Sequence, residues 1–236
     1  MNIEKKRVES CSQSAHYSEG VMKFTTAYCG EIFRKYMKKG SVLELGPAEG
    51  VMTDRLYPYF EDYTIVDGVD SFVKSIKDRY PAIKGYHCLF EEFIPEQQYD
   101  NIILGHVLEH VKEPCKILKN CSSWLTSGGV ILAAVPNSNS IHRQAAVIME
   151  ILSTEEELNE TDKKNGHRRV YNLKRIKDDF EKSGLSIVQL GGYWLKPLSN
   201  SQIDLTWSEE MIHAFLVLGE KYPEIAGEIY IIAENK

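Results

Sequence analysis

Short apolar runs recur along the 236-residue chain, and most are separated by segments with helical spacing. The runs that predict strands are 41–45, 63–66, 83–88, 99–104, 129–135, 185–190 and 228–233. The segments between them that place apolar residues at helical spacing are 52–60, 71–80, 111–125 and 173–183. Strands that alternate with helices pair in parallel through right-handed crossovers. The pattern therefore predicts an α/β fold with a doubly wound, mostly parallel sheet.

Glycines stand where several helices are expected to end. A helical period also covers 17–39, ahead of the first strand, and Gly40 is its predicted stop. Gly184 follows the last periodic segment, and Gly128-Gly129 follows the segment before the fifth strand. Because glycine readily takes the left-handed conformation that closes a helix, these positions predict helix C-termini.

Two polar segments interrupt the alternation. The first, 138–172, follows the fifth strand. The second, 195–226, precedes the last strand and contains a predicted amphipathic helix over 209–218. Because ligands bind at the C-terminal edge of such a sheet, where these insertions are expected to lie, both are predicted to cover the substrate.

Composition narrows the classes of partner. The net charge of −6 and the pI near 5.7 argue against nucleic acid, since phosphate binding needs a basic face. No apolar stretch approaches the ~20 residues that cross a bilayer, and the N-terminus lacks the apolar core of a secretory signal. Five cysteines without a C-x-x-C pair fit reduced thiols. We expect a cytoplasmic monomer or homodimer that binds a small molecule and neither nucleic acid nor membrane.

The stretch Val42–Gly50 carries the most specific chemistry. An apolar run ends in Glu44 and passes directly into a glycine turn. Glycine lets the backbone approach a ligand closely, and a carboxylate at the C-terminal tip of a strand faces the crevice of an open α/β sheet. Ala48 stands where the dinucleotide fingerprint G-x-G-x-x-G requires its second glycine, so that fingerprint is not matched.

A second acid follows about 20 residues later. Asp67 ends the second strand, where nucleotide-binding sheets place a carboxylate that accepts hydrogen bonds from both ribose hydroxyls. Asp70 is the rival, and it is equally suited to cap the helix that begins at Ser71. Asp67 is preferred because it lies directly at the strand end. Capping or solvation of a turn is the structural alternative for both acids.

These features form part of a resemblance to a known family. Glu44-x-Gly46-x-Ala48-x-Gly50 resembles the first motif, E/D-x-G-x-G-x-G, of class I S-adenosylmethionine (SAM)-dependent methyltransferases. The run 99–111 resembles the pattern F/Y-D-x-(apolar)3-x-x-V-L-E-H of the small-molecule branch, and 124–129 resembles the turn before its fifth strand. The resemblance implies a seven-stranded sheet with an antiparallel last strand. It also implies an N-terminal helical lid over 1–40 and a SAM-binding domain over 41–236.

The resemblance also implies the cofactor and its site. SAM would be bound and S-adenosylhomocysteine (SAH) released. Phe90 or Leu89 would pack on the adenine, with Glu91 near its amine, although Phe90 is equally suited to the core. The cofactor-binding residues expected on this basis are Tyr17, Glu44, Gly46, Pro47, Ala48, Gly50, Asp67, Gly68, Phe90, Glu91 and His106.

Histidines and basic residues are the candidates for acceptor chemistry. Methyl transfer needs a general base only if the acceptor must lose a proton, and neutral histidine suits that role near pH 7. His106 is the first choice, with His142 and His167 as further catalytic candidates, whereas His110 is expected to be structural. Residues expected to line the acceptor pocket or to clamp an anionic acceptor are Arg143, Arg168, Arg169, Tyr171, Tyr193 and Lys196. A solvated basic turn is the alternative for the arginines.

No metal ion is expected. His106-x-x-Glu109-His110 is similar to the E-x-x-E-H of methyltransferases of ubiquinone biosynthesis. Histidine replaces the first acid, however, and no other carboxylate is obviously near.

The expected function is therefore SAM-dependent methylation of a small polar or anionic metabolite, at oxygen. N-methylation of a small amine or peptide is the alternative within the class. A non-catalytic SAM-binding partner and a NAD(P)-dependent oxidoreductase are alternatives from other classes, and the second lacks its glycine fingerprint here.

Overall fold

A seven-stranded sheet forms the centre of the computed structural model, which describes residues 3–12 and 17–236. The strands are β1 (Val42–Leu45), β2 (Tyr63–Asp67), β3 (Lys84–His87), β4 (Tyr99–Gly105), β5 (Leu125–Pro136), β6 (Leu185–Tyr193) and β7 (Glu228–Asn235). Their order is β3-β2-β1-β4-β5-β7-β6. β1 to β5 pair in parallel, and β7 is antiparallel to both β5 and β6. The predicted α/β fold, the doubly wound sheet and the antiparallel last strand are confirmed.

Helices cover both faces of the sheet. They are α1 (Ile3–Ser12), α2 (Gly20–Arg34), α3 (Val51–Leu56), α4 (Asp70–Arg79), α5 (Pro114–Trp124), α6 (Ile141–Ile148), α7 (Glu160–Lys164), α8 (Leu173–Lys182), α9 (Asn200–Thr206) and α10 (Glu209–Gly219). A 3₁₀ turn at Tyr57–Tyr59 follows α3. The first insertion contains α6 and α7, and the second contains α9 and α10. No helix in 3–12 or 17–236 is long and apolar enough to cross a membrane.

The alternation of side chains along each strand divides the core into two layers. Val42 of β1 packs in the cluster that includes Phe33 of α2, whereas Leu43 packs in the cluster that includes Ile117 of α5 and Phe180 of α8. Successive side chains of a strand point to opposite faces, so a central strand covered on both sides must be apolar at every position except functional ones. This is why β1 and β2 appear as continuous apolar runs that end in acids.

Two predicted helix ends are wrong, and the third is confirmed. α2 ends at Arg34, well before Gly40. α5 ends at Trp124, and Gly128-Gly129 lies inside β5. A Cβ on Gly129 would stand 3.0 Å from the carbonyl oxygen of Tyr99, so glycine serves close strand approach there rather than a helix cap. Gly184, with φ +86°, follows α8 as predicted.

The segment predicted as an N-terminal lid has two parts with different surroundings. α2 belongs to the core, since its residues Val21, Cys29, Ile32 and Phe33 are buried under the sheet. α1 instead lies beside the C-terminal edge of the sheet and lines the main cavity there. A role as a mobile lid stays a prediction, and the structure restricts it to α1.

Candidate active site

A cavity of about 170 Å³ lies at the C-terminal edge of β1, β2 and β4, where the strand order reverses direction. This switch point is where open α/β sheets bind ligands. The residues predicted for the cofactor that line the cavity are Tyr17, Glu44, Gly46, Pro47, Ala48, Asp67, Gly68, Phe90, Glu91 and His106. Residues from Tyr17 to His106 in the sequence therefore line one opening, as the motif spacing predicts.

Left-handed backbone shapes the loop after β1. Gly46, Ala48 and Gly50 have φ values of +67°, +50° and +82°. A Cβ on Gly46 would lie 3.0 Å from Val107 and 3.3 Å from Phe90, so a side chain there would narrow the cavity. Ala48 adopts the left-handed conformation expected of the glycine that it replaces in the motif, and this costs a residue with a Cβ roughly 1–2 kcal/mol.

Gly50 corrects one prediction, because it does not line the cavity. It is the N-cap of α3, and a Cβ there would stand 2.9 Å from Ile76 and against the guanidinium of Arg79. Its role is to turn the chain into α3 and to let α4 pack closely.

Asp67, not Asp70, faces the cavity. Asp67 is 6% exposed and accepts hydrogen bonds from the backbone N–H groups of Val69 (2.8 Å) and Ala48 (3.2 Å). Burial raises the pKa of Asp67 to about 6, although these two N–H donors act to lower it. Asp70 does not cap α4 but lies in its first turn, half-exposed and paired with Lys74. Of the two acids, only Asp67 lines the cavity, and its role as ribose ligand stays a prediction.

Glu44 is held rigidly under the glycine loop. Its Oε2 accepts hydrogen bonds from Thr53 Oγ1 (2.7 Å) and Tyr63 Oη (2.8 Å). Burial raises the pKa of Glu44 to about 7, and the two hydroxyls partly offset this. The strand tip thus presents a carboxyl whose orientation is fixed by side chains from α3 and β2.

The loop after β3 and helix α1 close the other end of the cavity. Leu89, Phe90 and Glu91 all line it, and Phe90 also packs against the core, so Phe90 reaches both the cavity and the core. Val8 of α1 lies opposite, because a Cβ on Gly68 would approach Val8 Cγ1 to 2.9 Å. Apolar side chains of α1 and of the loop after β3 therefore line this end of the cavity.

Helix α1 is fastened to both sides of the cavity. Arg7 donates hydrogen bonds to the carbonyl oxygens of His110 and Gly166, each at 2.9 Å. Lys5 forms an ion pair with Glu92 at 2.8 Å. The residues of α1 that line the cavity are Glu4, Arg7, Val8, Cys11 and Ser12. None of the five was predicted from the sequence, because a polar helix without a motif carries no local signal of a binding role.

His106 lies at the tip of β4 with two carboxylates behind it. Its backbone is left-handed, with φ +58°, and its Nε2 is 3.2 Å from Tyr193 Oη. Its Nδ1 lies 3.6 Å from Glu109 Oε1 and 3.8 Å from Glu228 Oε2. Burial acts to lower the pKa of His106, but Glu228 and Glu109 outweigh it and raise the pKa. The site therefore contains a buried imidazole whose proton affinity is increased by its neighbours.

Glu228 was missed from the sequence, although a signal existed. It is the first residue of β7, and an antiparallel strand begins at the same edge where its parallel neighbours end. An acid at the start of the last strand therefore points to the same site as acids at the ends of β1 and β2.

His142 and Lys196, from the two insertions, are partly buried and do not line the cavity; Lys196 lies near Glu228, and His142 lies near Lys196. Burial lowers the pKa of His142 to about 3, so its imidazole is neutral. Burial also lowers the pKa of Lys196 to about 8, while Glu228 acts to raise it. The structure thus brings together His106, Tyr193, His142 and Lys196 among the predicted acceptor-site residues.

The predicted anion clamp is not formed, because its arginines are bound within the protein. Arg143 pairs with Asp162 at 3.0 Å and donates to the carbonyl oxygens of Glu155 and Glu157. Arg168 donates to Glu4 and to the carbonyl of His110.

Arg169 and Tyr171 are likewise structural. Arg169 donates to the carbonyl oxygens of Leu108, Val111 and Lys112. Tyr171 is fully buried and donates to Asp179 at 3.1 Å. Neither these two residues nor Arg143 and Arg168 line the cavity, so their task is to hold the first insertion against β4 and α8.

Comparison with known proteins agrees with this geometry. The sequence family described as a methyltransferase domain matches residues 17–190. A ubiquinone biosynthesis O-methyltransferase of Coxiella burnetii is 24% identical over 72% of this chain and 73% of its own length. A probable S-adenosylmethionine-dependent methyltransferase of Mycobacterium tuberculosis is 25% identical over 41% of this chain, and the match spans only 35% of that relative's length.

A solved structure shares the fold over nearly the whole chain. The N-methyltransferase NodS from Bradyrhizobium japonicum, in complex with SAH, superposes with a TM-score of 0.64 at 12% identity and covers 97% of this chain and 98% of its own. The chain belongs to the methyltransferase-domain family and has the class I SAM-dependent fold. SAM is its cofactor. The residues present fit that group, because a Cβ-free turn at Gly46 and a buried acid at the end of β2 face the same cavity.

Proposed function

We propose that this chain methylates an oxygen atom of a small polar acceptor, with SAM as methyl donor and His106 as general base. The observation that carries the proposal is the position of His106 at the cavity, with Glu109 and Glu228 within 3.8 Å of its Nδ1. A hydroxyl acceptor must lose its proton before or during attack, whereas the sulfonium of SAM supplies a leaving group that needs no proton.

The two carboxylates behind His106 support its role as the base. When an imidazole takes up a proton, a buried carboxylate beside it stabilises the imidazolium and keeps the ring oriented. The pKa of His106 is raised because Glu228 and Glu109 outweigh the effect of burial. Tyr193 Oη, 3.2 Å from Nε2, would keep the other ring nitrogen in place until an acceptor hydroxyl replaces it.

The residues proposed to hold the cofactor are those that line the cavity. Asp67 would accept hydrogen bonds from the ribose hydroxyls, and Glu91 from the adenine amine. Phe90 and Val8 would enclose the adenine from opposite sides. Tyr17 lies near Glu109 and Asp67. Burial, and to a lesser extent these two acids, raise the pKa of its hydroxyl, which therefore keeps its proton and can donate a hydrogen bond. Their combined effect would be to align the methyl group and exclude water.

The acceptor proposed is polar rather than anionic. Glu109 and Glu228 stand at the expected acceptor end, and the arginines that would have attracted an anion are bound to carbonyls and carboxylates of the protein. Lys196 would attract an anionic acceptor less than an ordinary lysine does, because burial lowers its pKa to about 8.

N-methylation is a second candidate, because the same carboxylates would attract an ammonium group. The name of the Coxiella relative favours oxygen, whereas the name of NodS favours nitrogen, and the latter likeness concerns the fold alone. A library of matched acceptors, each offered as the hydroxyl and as the amine, separates the two when SAH release is measured. Turnover of the hydroxyl members supports the proposal. Turnover confined to amines, or binding of NAD(P) without SAM, would refute it.

A further inference from the structure

A buried carboxylate and two imidazoles meet beside the cavity. One ligand atom from each of Glu109, His110 and His167 lies within 4.8 Å of the others. Glu109 is 1% exposed, and within 3–12 and 17–236 neither of its carboxylate oxygens receives a hydrogen bond. The nearest imidazole nitrogen of His106 stays at 3.6 Å. Because a buried carboxylate is costly unless it is paired or bound to a metal, these oxygens call for a partner.

Backbone hydrogen bonds bring the three side chains together across the sequence. The N–H of Arg168 donates to the carbonyl of Glu109 at 2.8 Å, and Arg168 Nε donates to the carbonyl of His110 at 3.0 Å. The first insertion is thereby attached to the turn after β4. The cluster thus exists because of the fold and does not depend on its own side chains attracting one another.

An outer carboxylate lies beside one of the imidazoles. Asp162 Oδ1 is 3.1 Å from His167 Nδ1, and Asp162 is itself held by Arg143 at 3.0 Å. A carboxylate next to a histidine ring is the usual surrounding of a metal-binding imidazole. His110 lines the cavity, so the cluster borders the space available to a small molecule.

We propose that Glu109, His110 and His167 bind a divalent transition-metal ion of the zinc type. Two imidazoles and one carboxylate suit Zn²⁺ and its substitute Co²⁺, whereas Mg²⁺ and Ca²⁺ prefer oxygen ligands throughout. Three protein ligands leave a further coordination position, as in zinc sites that accept an exogenous ligand. On binding, the ligand atoms would have to close from within 4.8 Å to about 3.4 Å.

This site differs from what the sequence pattern around His106 indicated. His106 is not a ligand, and His167 comes from the first insertion, 57 residues beyond His110 in the chain. The site shares Glu109 with the proposed methyl transfer, because Glu109 Oε1 also lies 3.6 Å from His106 Nδ1, but metal binding is measured without reference to activity.

The test is a metal titration of the full chain after chelator treatment. Co²⁺ binding is followed by its visible absorption, and bound Zn²⁺ is counted by elemental analysis. We expect one ion per chain, an affinity at least about 100-fold weaker in both Glu109→Gln and His167→Gln, and about 10- to 100-fold weaker in Asp162→Asn. His213→Gln, at an exposed histidine of α10, is the matched control and should bind as the wild type does.

Three results would overturn the proposal. The first is no stoichiometric ion in the wild type, and the second is equal binding by wild type, Glu109→Gln and His167→Gln. The third is a thiolate-to-Co²⁺ charge-transfer band, which would place the ion on one of the five free cysteines. Thermal unfolding followed by circular dichroism shows that each variant is folded. If Glu109→Gln does not fold, His167→Gln decides alone.

Discussion

Replacing Asp67 by asparagine tests the proposed cofactor site most directly. Asp67 ends β2, is 6% exposed, and is oriented by the N–H groups of Val69 and Ala48 at 2.8 and 3.2 Å. The carboxylate is therefore preset to accept further hydrogen bonds from a ligand in the cavity. Asparagine has the same shape but carries an NH2 group in place of one oxygen. Depending on which way the amide points, it cannot accept one of the hydrogen bonds from the ribose or one of those from the backbone N–H groups.

The expected loss follows from the kind of bond removed. A hydrogen bond to a charged group contributes about 1.5–3 kcal/mol, and 1.4 kcal/mol corresponds to about tenfold in affinity. Asp67→Asn should therefore weaken SAM and SAH binding roughly 10- to 150-fold. Burial raises the pKa of Asp67 to about 6, so wild-type affinity should fall as the pH drops below that value, and the affinity of the variant should not follow.

Isothermal titration calorimetry with SAH measures both effects. Asp70→Asn is the matched control, because Asp70 is half-exposed, pairs with Lys74 and does not line the cavity. It should bind SAH as the wild type does. Binding by Asp67→Asn within twofold of the wild type, or an equal loss in Asp70→Asn, would show that the buried acid does not contact the nucleoside.

Three further changes have definite expected outcomes. In a pH–rate profile, the methyl-transfer rate should rise with pH as His106 deprotonates, with a midpoint above 6.5. The Glu228→Gln variant should show a lower midpoint, because Glu228 raises the pKa of His106. Burial raises the pKa of Glu44 from 4.5 to about 7, so the folded state binds a proton that the unfolded state releases between these pH values. As the pH rises through this range, the free energy of unfolding of the wild type, measured by urea titration, should fall by about 3 kcal/mol relative to that of Glu44→Gln. Arg7→Ala removes two bonds that hold α1 over the cavity and should speed SAH dissociation roughly 5- to 30-fold in stopped flow.

Local chain patterns account for the fold and for most of the cofactor site. Central parallel strands must be apolar on both faces, so β1, β2, β4 and β5 are visible as mostly apolar runs, and a departure such as Glu44 or Asp67 near the end of a run marks a candidate functional position. The glycine turn after β1 was equally visible, because left-handed backbone restricts the residues that can occupy it. Gly50 shows the limit of this argument, since its left-handed φ serves helix packing.

The acceptor side was decided by tertiary contacts alone. In the sequence, Arg143, Arg168 and Arg169 look free to bind an anion, yet each is occupied by carbonyl or carboxylate oxygens of the protein. A charged side chain carries no local sign of its partner, because that partner lies more than ten residues away and is set by loop packing.

The sequence by itself determined the order of strands and helices, the glycine loop and the acids at the ends of β1 and β2, because each depends on neighbouring residues or on a fixed spacing. The tertiary structure alone decided that Asp67 and not Asp70 faces the cavity, that α1 closes it, and that His167 joins Glu109 beside His106. These arrangements bring together residues that are far apart in the sequence. They are stabilised by tertiary contacts, which a local sequence pattern does not reveal.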